Sequence, residues 1–206
     1  MHEEPRQGEL DEIGLYATLF ELAGPFLDTR HNEVHATVSC RFARELLTEE
    51  GGDPEVVLPA IILHDVGWKV IPEEKQLECF GPYARDRGAN RIHEVEGARI
   101  ATAILERVEY DPAKIRVIAN IISGHDSRLV PISLEDQIVK DADKLFRFSE
   151  EGFAIDCGRF ALDPGRSVAG LRRRIDSWLF TDTAKRVAHR ELDKIAGSSG
   201  SSRGAD

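Results

Sequence analysis

Apolar residues recur at steps of three and four along most of the chain, which is the period of an amphipathic α-helix. Residues 56–66 are apolar on almost every side, which predicts a central buried helix. No segment shows the strict alternation of a strand, so we predict an all-α fold built as a helical bundle. The other predicted helices lie at residues 10–27, 32–48, 92–108, 111–124, 133–148, 168–180 and 182–196.

Residues 71–91 contain several prolines and glycines and are predicted to form a long loop, of the kind that can cover an active site. A chain of 206 residues suits a single domain, predicted here at residues 1–196. Its core is expected in 32–148, with two further helices in 168–196. The last ten residues, 197–206 (GSSGSSRGAD), are predicted to be a disordered tail.

The charge balance limits the classes of partner. The chain carries a net charge of −10 and has a pI of about 5.2. Nucleic acids and anionic membranes require a basic face, so neither is expected as the main partner. Three scattered cysteines and the lack of a signal-peptide-like or membrane-spanning apolar run predict a cytoplasmic protein. The oligomeric state stays open.

The dipeptide His64-Asp65 ends the most apolar helix of the chain. A charged Asp is costly to bury there unless it is paired or binds a metal. His and Asp are both good ligands for divalent ions. Taken alone, the dipeptide also describes an ordinary helix end in which a basic neighbour satisfies Asp65.

Other His and Asp residues fall on buried faces or at helix ends. His35 lies on the apolar face of its predicted helix, His93 begins a helix and His125 ends another. Asp141 falls on the buried stripe of its helix, whereas Asp143 is expected to point roughly the other way. Several helices that each deliver a His or Asp inward are typical of metal sites in helical bundles.

The order His, His-Asp, His, His, Asp resembles that of the HD superfamily of metal-dependent phosphohydrolases. Residues 63–67 (LHDVG) are similar to its LHDxG segment, and residues 93–98 (HEVEGA) to its HxxxGA helix start. Residues 141–145 (DADKL) are similar to its closing xADKL segment. The resemblance covers about residues 32–148 and implies the helical bundle of an HD domain.

The resemblance also implies a site for one or two divalent ions. Asp65 would bridge both ions and would be the central catalytic carboxylate, and a metal-bound hydroxide would be the nucleophile, because cations lower the pKa of bound water. The ion is left open among Mn, Fe, Ni, Co, Zn and Mg. The implied ligands are His35, His64, Asp65 and Asp141 for the first ion and His93 and His125 for the second.

The chain departs from some subfamilies. Phosphodiesterases of the HD-GYP type, which cut cyclic di-GMP, carry HDxGK and later a His-His pair followed by GYP. Here Trp68 precedes Lys69, and His125 is followed by Asp126, so cyclic di-GMP is not expected as the substrate. Asp126 could orient a ligand His or only cap a helix. Bacterial diadenosine tetraphosphate hydrolases of the superfamily share the six-ligand order.

Four basic residues are candidates to act on a small anionic substrate. Lys69 and Lys144 could bind phosphate as catalytic residues, although a solvated or ligand-orienting lysine would look the same. Arg128 follows His125, and Arg91 precedes His93; with Lys69 they are candidate substrate-binding residues. Ordinary loop arginines would give the same pattern. Trp68 could line the pocket or simply pack.

Three functions fit these residues. The first is hydrolysis of a phosphate mono- or diester of a nucleotide or small metabolite. The alternative is a mixed-valent diiron oxygenase, because some HD-superfamily oxygenases use the same six-ligand order and His and carboxylate ligands suit iron as well as manganese. A non-catalytic, ligand-sensing HD module is a third, which the presence of every expected ligand disfavours.

Overall fold

The computed structural model describes residues 7–76, 78–79 and 87–201. Over these residues the chain forms α-helices and two 3-10 segments and contains no strand, which confirms the all-α prediction. None of the helices in the described ranges is long and apolar enough to cross a membrane. The helices are α1 (Gln7–Leu27), α2 (Asn32–Glu50), α3 (Pro54–Leu63), α4 (Glu73–Gln76), α5 (Arg87–Arg107), α6 (Pro112–Ile122), α7 (Leu134–Leu145), α8 (Glu150–Phe160), α9 (Pro164–Arg172), α10 (Ile175–Trp178) and α11 (Asp182–Ser201).

Helix α3 is the centre of the bundle. It packs against α1, α2, α6 and α7, and every residue from Val56 to Leu63 is buried. A helix surrounded by others has no solvent face, which is why its sequence lacks a polar stripe. The chain therefore delivers His64 and Asp65, which follow directly, into the interior of the protein.

Side-chain caps stand at the starts of α3, α6 and α7. The carboxylate of Asp53 accepts the amide of Glu55 over 2.9 Å at the start of α3. Asp111 accepts the amide of Ala113 over 2.8 Å at the start of α6. The hydroxyl of Ser133 accepts the amide of Asp136 at the start of α7. Each cap satisfies an amide that has no partner inside its helix.

Gly67 allows α5 to approach the chain that follows α3. A Cβ atom at this position would lie 1.9 Å from the carbonyl oxygen of His93 and 2.5 Å from the amide nitrogen of Gly97. The 3-10 segment Val66–Val70 packs closely on α5 as a result. This contact brings His93 next to the end of α3.

The long predicted loop is shorter in the structure. Helix α4 lies within residues 71–91, and α5 begins at Arg87 rather than near residue 92. The breakers Gly88 and Asn90 are tolerated in the first turn of α5, where their low helix propensity costs less than about 1 kcal/mol each. Residues 77 and 80–86 of this predicted loop lie outside the described residues.

The C-terminal third also differs from the prediction. Helix α8 was not predicted, and the single helix predicted at 168–180 is divided into α9 and α10. Helix α11 continues to Ser201, so residues 197–201 are helical rather than part of a tail. Gly and Ser each weaken a helix by only about 1 kcal/mol or less, which does not end one by itself. Residues 202–206 of the predicted tail lie outside the described residues.

Candidate metal centre

Four histidines from different elements meet in two pairs at the end of α3. The Nε2 atoms of His35, from α2, and His64 lie 3.0 Å apart. The Nε2 atoms of His93, from α5, and His125, which follows α6, lie 3.3 Å apart. His64, His93 and His125 are buried, and the side chain of His35 is 13% exposed.

Asp65 lies between the two pairs. Its Oδ2 is 3.6 Å from Nε2 of His35, and its Oδ1 is 3.7 Å from Nε2 of His64. The same Oδ1 is 3.9 Å from Nε2 of His93 and 3.6 Å from Nε2 of His125. One carboxylate can ligate two ions through its two oxygens, so this position suits the bridging role predicted for Asp65.

The tautomers of two histidines fit metal binding. Nδ1 of His64 lies 2.8 Å from the carbonyl oxygen of Ile61, and Nδ1 of His125 lies 2.8 Å from that of Ile122. A carbonyl oxygen only accepts, so Nδ1 must carry the proton in both rings. When the rings are neutral, each Nε2 lone pair faces the cluster, which is how a carbonyl partner orients a ligand histidine. The Nε2 atoms of His64 and His125 lie 3.0 and 3.3 Å from those of His35 and His93, so each pair needs a cation between its two rings or a proton on one of the two nitrogens.

The position of Asp141 differs from the prediction. Its Oδ1 accepts the amide of Phe180 over 2.9 Å, and its Oδ2 accepts the amide and the hydroxyl of Thr181 over 2.8 and 2.9 Å. Asp141 therefore faces away from the histidines and anchors the chain that leads into α11. Its carboxylate is not among the groups of possible metal ligands that the described residues bring together.

Asp143 takes the place that was predicted for Asp141. Its Oδ1 is 3.1 Å from Nε2 of His35 and 3.6 Å from Nε2 of His64. His35, His64 and Asp143 form one of the groups whose ligand atoms lie within 4.8 Å of one another. The others are His64, Asp65 and His125, and His93, His125 and Asp126. A metal that binds substrate must face open space, and Asp143 borders the cavity whereas Asp141 does not.

The turn that carries His125 is held from two sides. The buried carboxylate of Glu94, from α5, accepts the amides of Asp126 and Ser127 over 2.9 and 2.7 Å and the Ser127 hydroxyl over 2.6 Å. The buried ammonium of Lys140, from α7, donates to the carbonyls of Gly124 and His125 over 2.6 and 2.7 Å. These contacts also place Asp126, whose Oδ2 is 3.6 Å from Nε2 of His93.

The electrostatics of the cluster favour anionic carboxylates. Burial alone would raise the pKa of Asp65 and Asp143, but the adjacent histidines outweigh it and hold both pKa values well below the usual range. Burial lowers the pKa of His93 to about 3, which leaves this ring neutral at physiological pH. Burial opposes protonation of His125 as well, yet Asp65 and Asp126 raise its pKa to about 10. A bound cation would compete with that proton for the same Nε2 atom.

A cavity of about 720 Å³ opens at the cluster. The residues of the cluster that border it are His35, Asp65, His125, Asp126 and Asp143. This volume lies in the range of pockets that hold small-molecule ligands, roughly 300–1,000 Å³. The structure thus places a potential metal site at the wall of a space large enough for a metabolite.

Three of the four predicted basic residues do not line this cavity in the described part of the chain, and each has another role. The ammonium of Lys69 pairs with Asp28 over 2.5 Å. Arg91 contacts Glu94 over 3.1 Å and donates to the carbonyl of Ser123. Arg128 donates to Asp136 over 3.2 Å and to the Asn120 carbonyl over 2.9 Å. Through these hydrogen bonds, Arg91 joins the start of α5 to the end of α6, and Arg128 contacts the last turn of α6.

Lys144, the fourth of these residues, lines the cavity. Its ammonium donates to the carbonyl oxygen of Trp178 over 2.9 Å and lies 4.5 Å from the ring centroid of Phe180. Burial lowers the pKa of Lys144 below its ordinary value. Trp68 also lines the cavity, with its ring stacked on that of His93 at 4.0 Å between centroids.

Several cavity residues were not predicted from the sequence. Arg30, Arg147, Arg159 and Arg174 all border the cavity. Asp143 was expected to point away from the buried stripe of α7, and it is on this side that the histidines lie. The DADKL segment offered two aspartates, which was the available signal for Asp143. The four arginines stand in no recognisable spacing, so only the folded chain brings them together.

The comparisons agree with the site. Residues 35–147, more than half of the chain, match the family model of the HD domain, and the chain therefore belongs to the HD-domain family. Together with the His and Asp cluster, this membership supports a metal-dependent enzyme of the HD superfamily. No curated protein matches the chain in the sequence comparison.

A solved structure with the same fold is a predicted HD superfamily hydrolase from an uncultured Thermotogales bacterium. The two chains are 19% identical, with a TM-score of 0.60 over 95% of this chain and 96% of the other. At 19% sequence identity, the similarity between the two structures shows a common fold. It extends beyond the family match into the C-terminal helices.

Proposed function

We propose that this protein is a metal-dependent phosphohydrolase that cleaves a phosphate mono- or diester of a nucleotide or other small metabolite. The observation that carries the proposal is the position of Asp65, whose oxygens lie 3.6–3.9 Å from the Nε2 atoms of all four clustered histidines. One shared carboxylate between two His pairs suits two divalent ions. Such a pair stabilises the attacking and leaving oxygens of a phosphoryl displacement.

The residues divide into two half-sites around Asp65. His35, His64 and Asp143 would hold one ion, and His93, His125 and Asp126 the other. Nitrogen and carboxylate donors fit Mn, Fe, Co, Ni or Zn better than Mg, which prefers oxygen ligands alone. When bound, the ions supply a low pKa for coordinated water and neutralise charge on the phosphoryl oxygens.

The chain itself supplies orientation. Trp68 donates its indole N–H to Oδ1 of Asp65 over 3.0 Å, which fixes the rotamer of the shared carboxylate. The hydrogen bonds that Glu94 and Lys140 make with the backbone of Ser127 and His125 hold His125 in place. Lys144 lies beside Asp143 at the cavity wall and is positioned to bind an anionic oxygen of the substrate. Placement of reacting groups in advance lowers the barrier because little reorganisation is left for the reaction itself.

The test begins with protein purified without added metal. Metal content per chain is measured together with absorption and EPR spectra, and phosphate release is followed with a generic phosphomonoester, a generic phosphodiester and a nucleotide panel. We expect up to two transition-metal ions per chain and hydrolysis of at least one class of ester. A mixed-valent diiron spectrum with O₂ consumption and no phosphate release would instead support the oxygenase. Metal binding without either activity would support a sensing module.

A further inference from the structure

The cavity is also lined by arginines that are distant in sequence. Arg30 comes from the turn between α1 and α2, Arg147 from the segment after α7, and Arg159 from α8. Asp156 joins two of them, with its Oδ2 2.6 Å from Arg147 and its Oδ1 3.4 Å from Arg159. Arg159 also donates to the carbonyl oxygen of Arg30 over 2.6 Å. We call Arg30, Arg147 and Arg159 the arginine cluster.

The arginine cluster concentrates positive charge in an acidic protein. Three arginines and Asp156 line the cavity and contact one another, although the chain as a whole carries a net charge of −10. Burial, with smaller contributions from the neighbouring Arg159 and Arg147, lowers the pKa of Arg30 to about 10 against the opposing effect of Asp65. Cations held together in a partly buried place are stabilised when an anion binds among them.

The backbone that presents Arg30 is unusual. Arg30 and His31, both at the cavity, have φ angles of +51° and +63°, in the left-handed region that L-residues with side chains seldom adopt. Two such residues in succession cost conformational free energy, and this kind of strain is concentrated at functional sites. The turn is held in this form by the contacts around it, including the one from Arg159.

The arginine cluster and the metal centre belong to one continuous space. The guanidinium of Arg30 lies 4.2 Å from the ring centroid of Trp68, and Trp68 donates to the shared carboxylate Asp65 over 3.0 Å. Phe146, Phe153, Leu171 and Trp178 form apolar parts of the wall. A single phosphate would occupy a small part of about 720 Å³. The remaining space suits a larger molecule with charge at two places and an apolar or stacking surface between them.

We propose that the substrate carries a second oxyanion, a phosphate or a carboxylate, that binds to the arginine cluster while its scissile phosphate lies at the metal centre. This inference rests on the proposed function for the role of the metal centre. Arginine presents a fork of N–H donors that matches either oxyanion. The cluster would select substrates with two anionic groups and set their direction in the cavity.

The inference is tested with ligand pairs that differ by one anionic group. Adenosine 3′,5′-bisphosphate is compared with adenosine 5′-monophosphate, and 3-phosphoglycerate with glycerol 3-phosphate. Both tryptophans of the chain line the cavity, so their fluorescence reports binding to the holoenzyme. We expect the doubly anionic member of at least one pair to bind roughly tenfold more tightly, the effect of a hydrogen-bonded ion contact. The adenosine pair tests a second phosphate and the three-carbon pair a carboxylate.

Two variants and a control locate the effect. Arg147→Gln and Arg159→Gln should each reduce the preference severalfold, because the affinity for the doubly anionic ligand falls more than the affinity for the singly anionic one. Arg172→Gln removes the same charge from a pair with Asp193 outside the cavity and should leave the preference intact. If a Gln variant fails to fold, two other measurements replace it. One is the ligand preference of Arg159→Lys, and the other is the salt dependence of the wild-type preference, because salt weakens ionic contacts.

The results separate the two proposals. No preference in either pair, or a preference that survives both Gln variants, would overturn the inference. Phosphate release is measured in the same samples. If the protein prefers doubly anionic ligands but releases phosphate from no substrate, the proposed hydrolase activity is contradicted and the anion site is supported. If it hydrolyses a substrate but shows no such preference, the anion site is contradicted and the hydrolase activity is supported.

Discussion

The indole Nε1 of Trp68 donates a hydrogen bond to Oδ1 of Asp65 over 3.0 Å, inside the protein. The two residues are three positions apart, across the turn between α3 and the following 3-10 segment. The same ring stacks on His93, at 4.0 Å and an interplanar angle of 13°. A residue outside the His and Asp cluster thus positions both the shared carboxylate and one of the clustered histidines.

Trp68→Phe should separate the two contacts of this ring. Phe can still stack on His93, but it has no N–H to donate to Asp65. A hydrogen bond to a charged group contributes about 1.5–3 kcal/mol, so we expect kcat to fall roughly tenfold or more. Metal content and KM should change much less. A Trp68→Phe enzyme with wild-type kcat would show that Asp65 is positioned without the indole.

Asp143→Ala and Asp141→Ala form a matched pair two residues apart. Asp143→Ala should lose metal from the His35 and His64 side of the centre and lose activity, because its carboxylate lies 3.1 Å from His35. Asp141→Ala should keep its metal and instead lose about 1–3 kcal/mol of stability, since the amides of Phe180 and Thr181 are left without their acceptor. Metal analysis and thermal unfolding measure both effects. Metal loss from Asp141→Ala alone would restore the ligand set predicted from the sequence.

The number of ions can be read from three further variants. His93→Ala and His125→Ala should each reduce bound metal from about two per chain towards one, if these residues hold the second ion. Asp65→Ala should cause a larger loss than either, because Asp65 faces both half-sites. Added free metal should partly restore the two His variants by mass action. Unchanged metal content with a raised KM would mean that His93 and His125 contact substrate instead.

Gly67→Ala tests the close contact between α5 and the end of α3. The added methyl group would overlap the backbone of His93 and Gly97, so we expect a loss of at least about 2 kcal/mol in the free energy of unfolding. Gly158→Ala is the control, because nothing lies within 4 Å of a Cβ at that position in α8. It should leave stability unchanged or raise it by up to about 1 kcal/mol. Equal effects of the two changes would contradict the close approach at Gly67.

Glu94 should make the turn around His125 sensitive to acid. Burial alone would raise the pKa of Glu94, but the hydroxyl and amide of Ser127 donate to the carboxylate and lower the pKa below its ordinary value. A carboxylate with a lowered pKa in the folded state contributes stability that is fully present above the unfolded pKa, near ~4.3. That stability is lost as the pH falls through the lowered folded value.

The measurement compares wild type with Glu94→Gln, both treated with a chelator so that metal release does not contribute. The difference in their free energies of unfolding should be constant around pH 7 and shrink below about pH 4.3. A difference that stays constant down to acid unfolding would show that the charge of Glu94 does not stabilise the turn.

Much of the fold follows from local physical chemistry. The period of apolar residues indicated helices over most of the chain, and Asp-Pro pairs marked where two of them begin, because such caps act within one turn. Helix α8 and the break between α9 and α10 were missed, since short helices with mixed polarity depend on the neighbours they pack against. His35, His64 and Asp65 could be recognised as candidate ligands from local sequence as well. Each lies on, or directly after, a strongly apolar helix face.

Tertiary structure decided what local pattern could not. Asp141 and Asp143 lie about 200° apart around α7, and both positions are compatible with burial. The packing of α11 on α7 gives Asp141 a partner in Thr181 and leaves Asp143 to face His35. The arginine cluster, likewise, joins residues more than a hundred positions apart through contacts that no sequence spacing records. The sequence by itself determined which side chains could bind metal, and the rotation and packing of the helices determined which of them face the cavity.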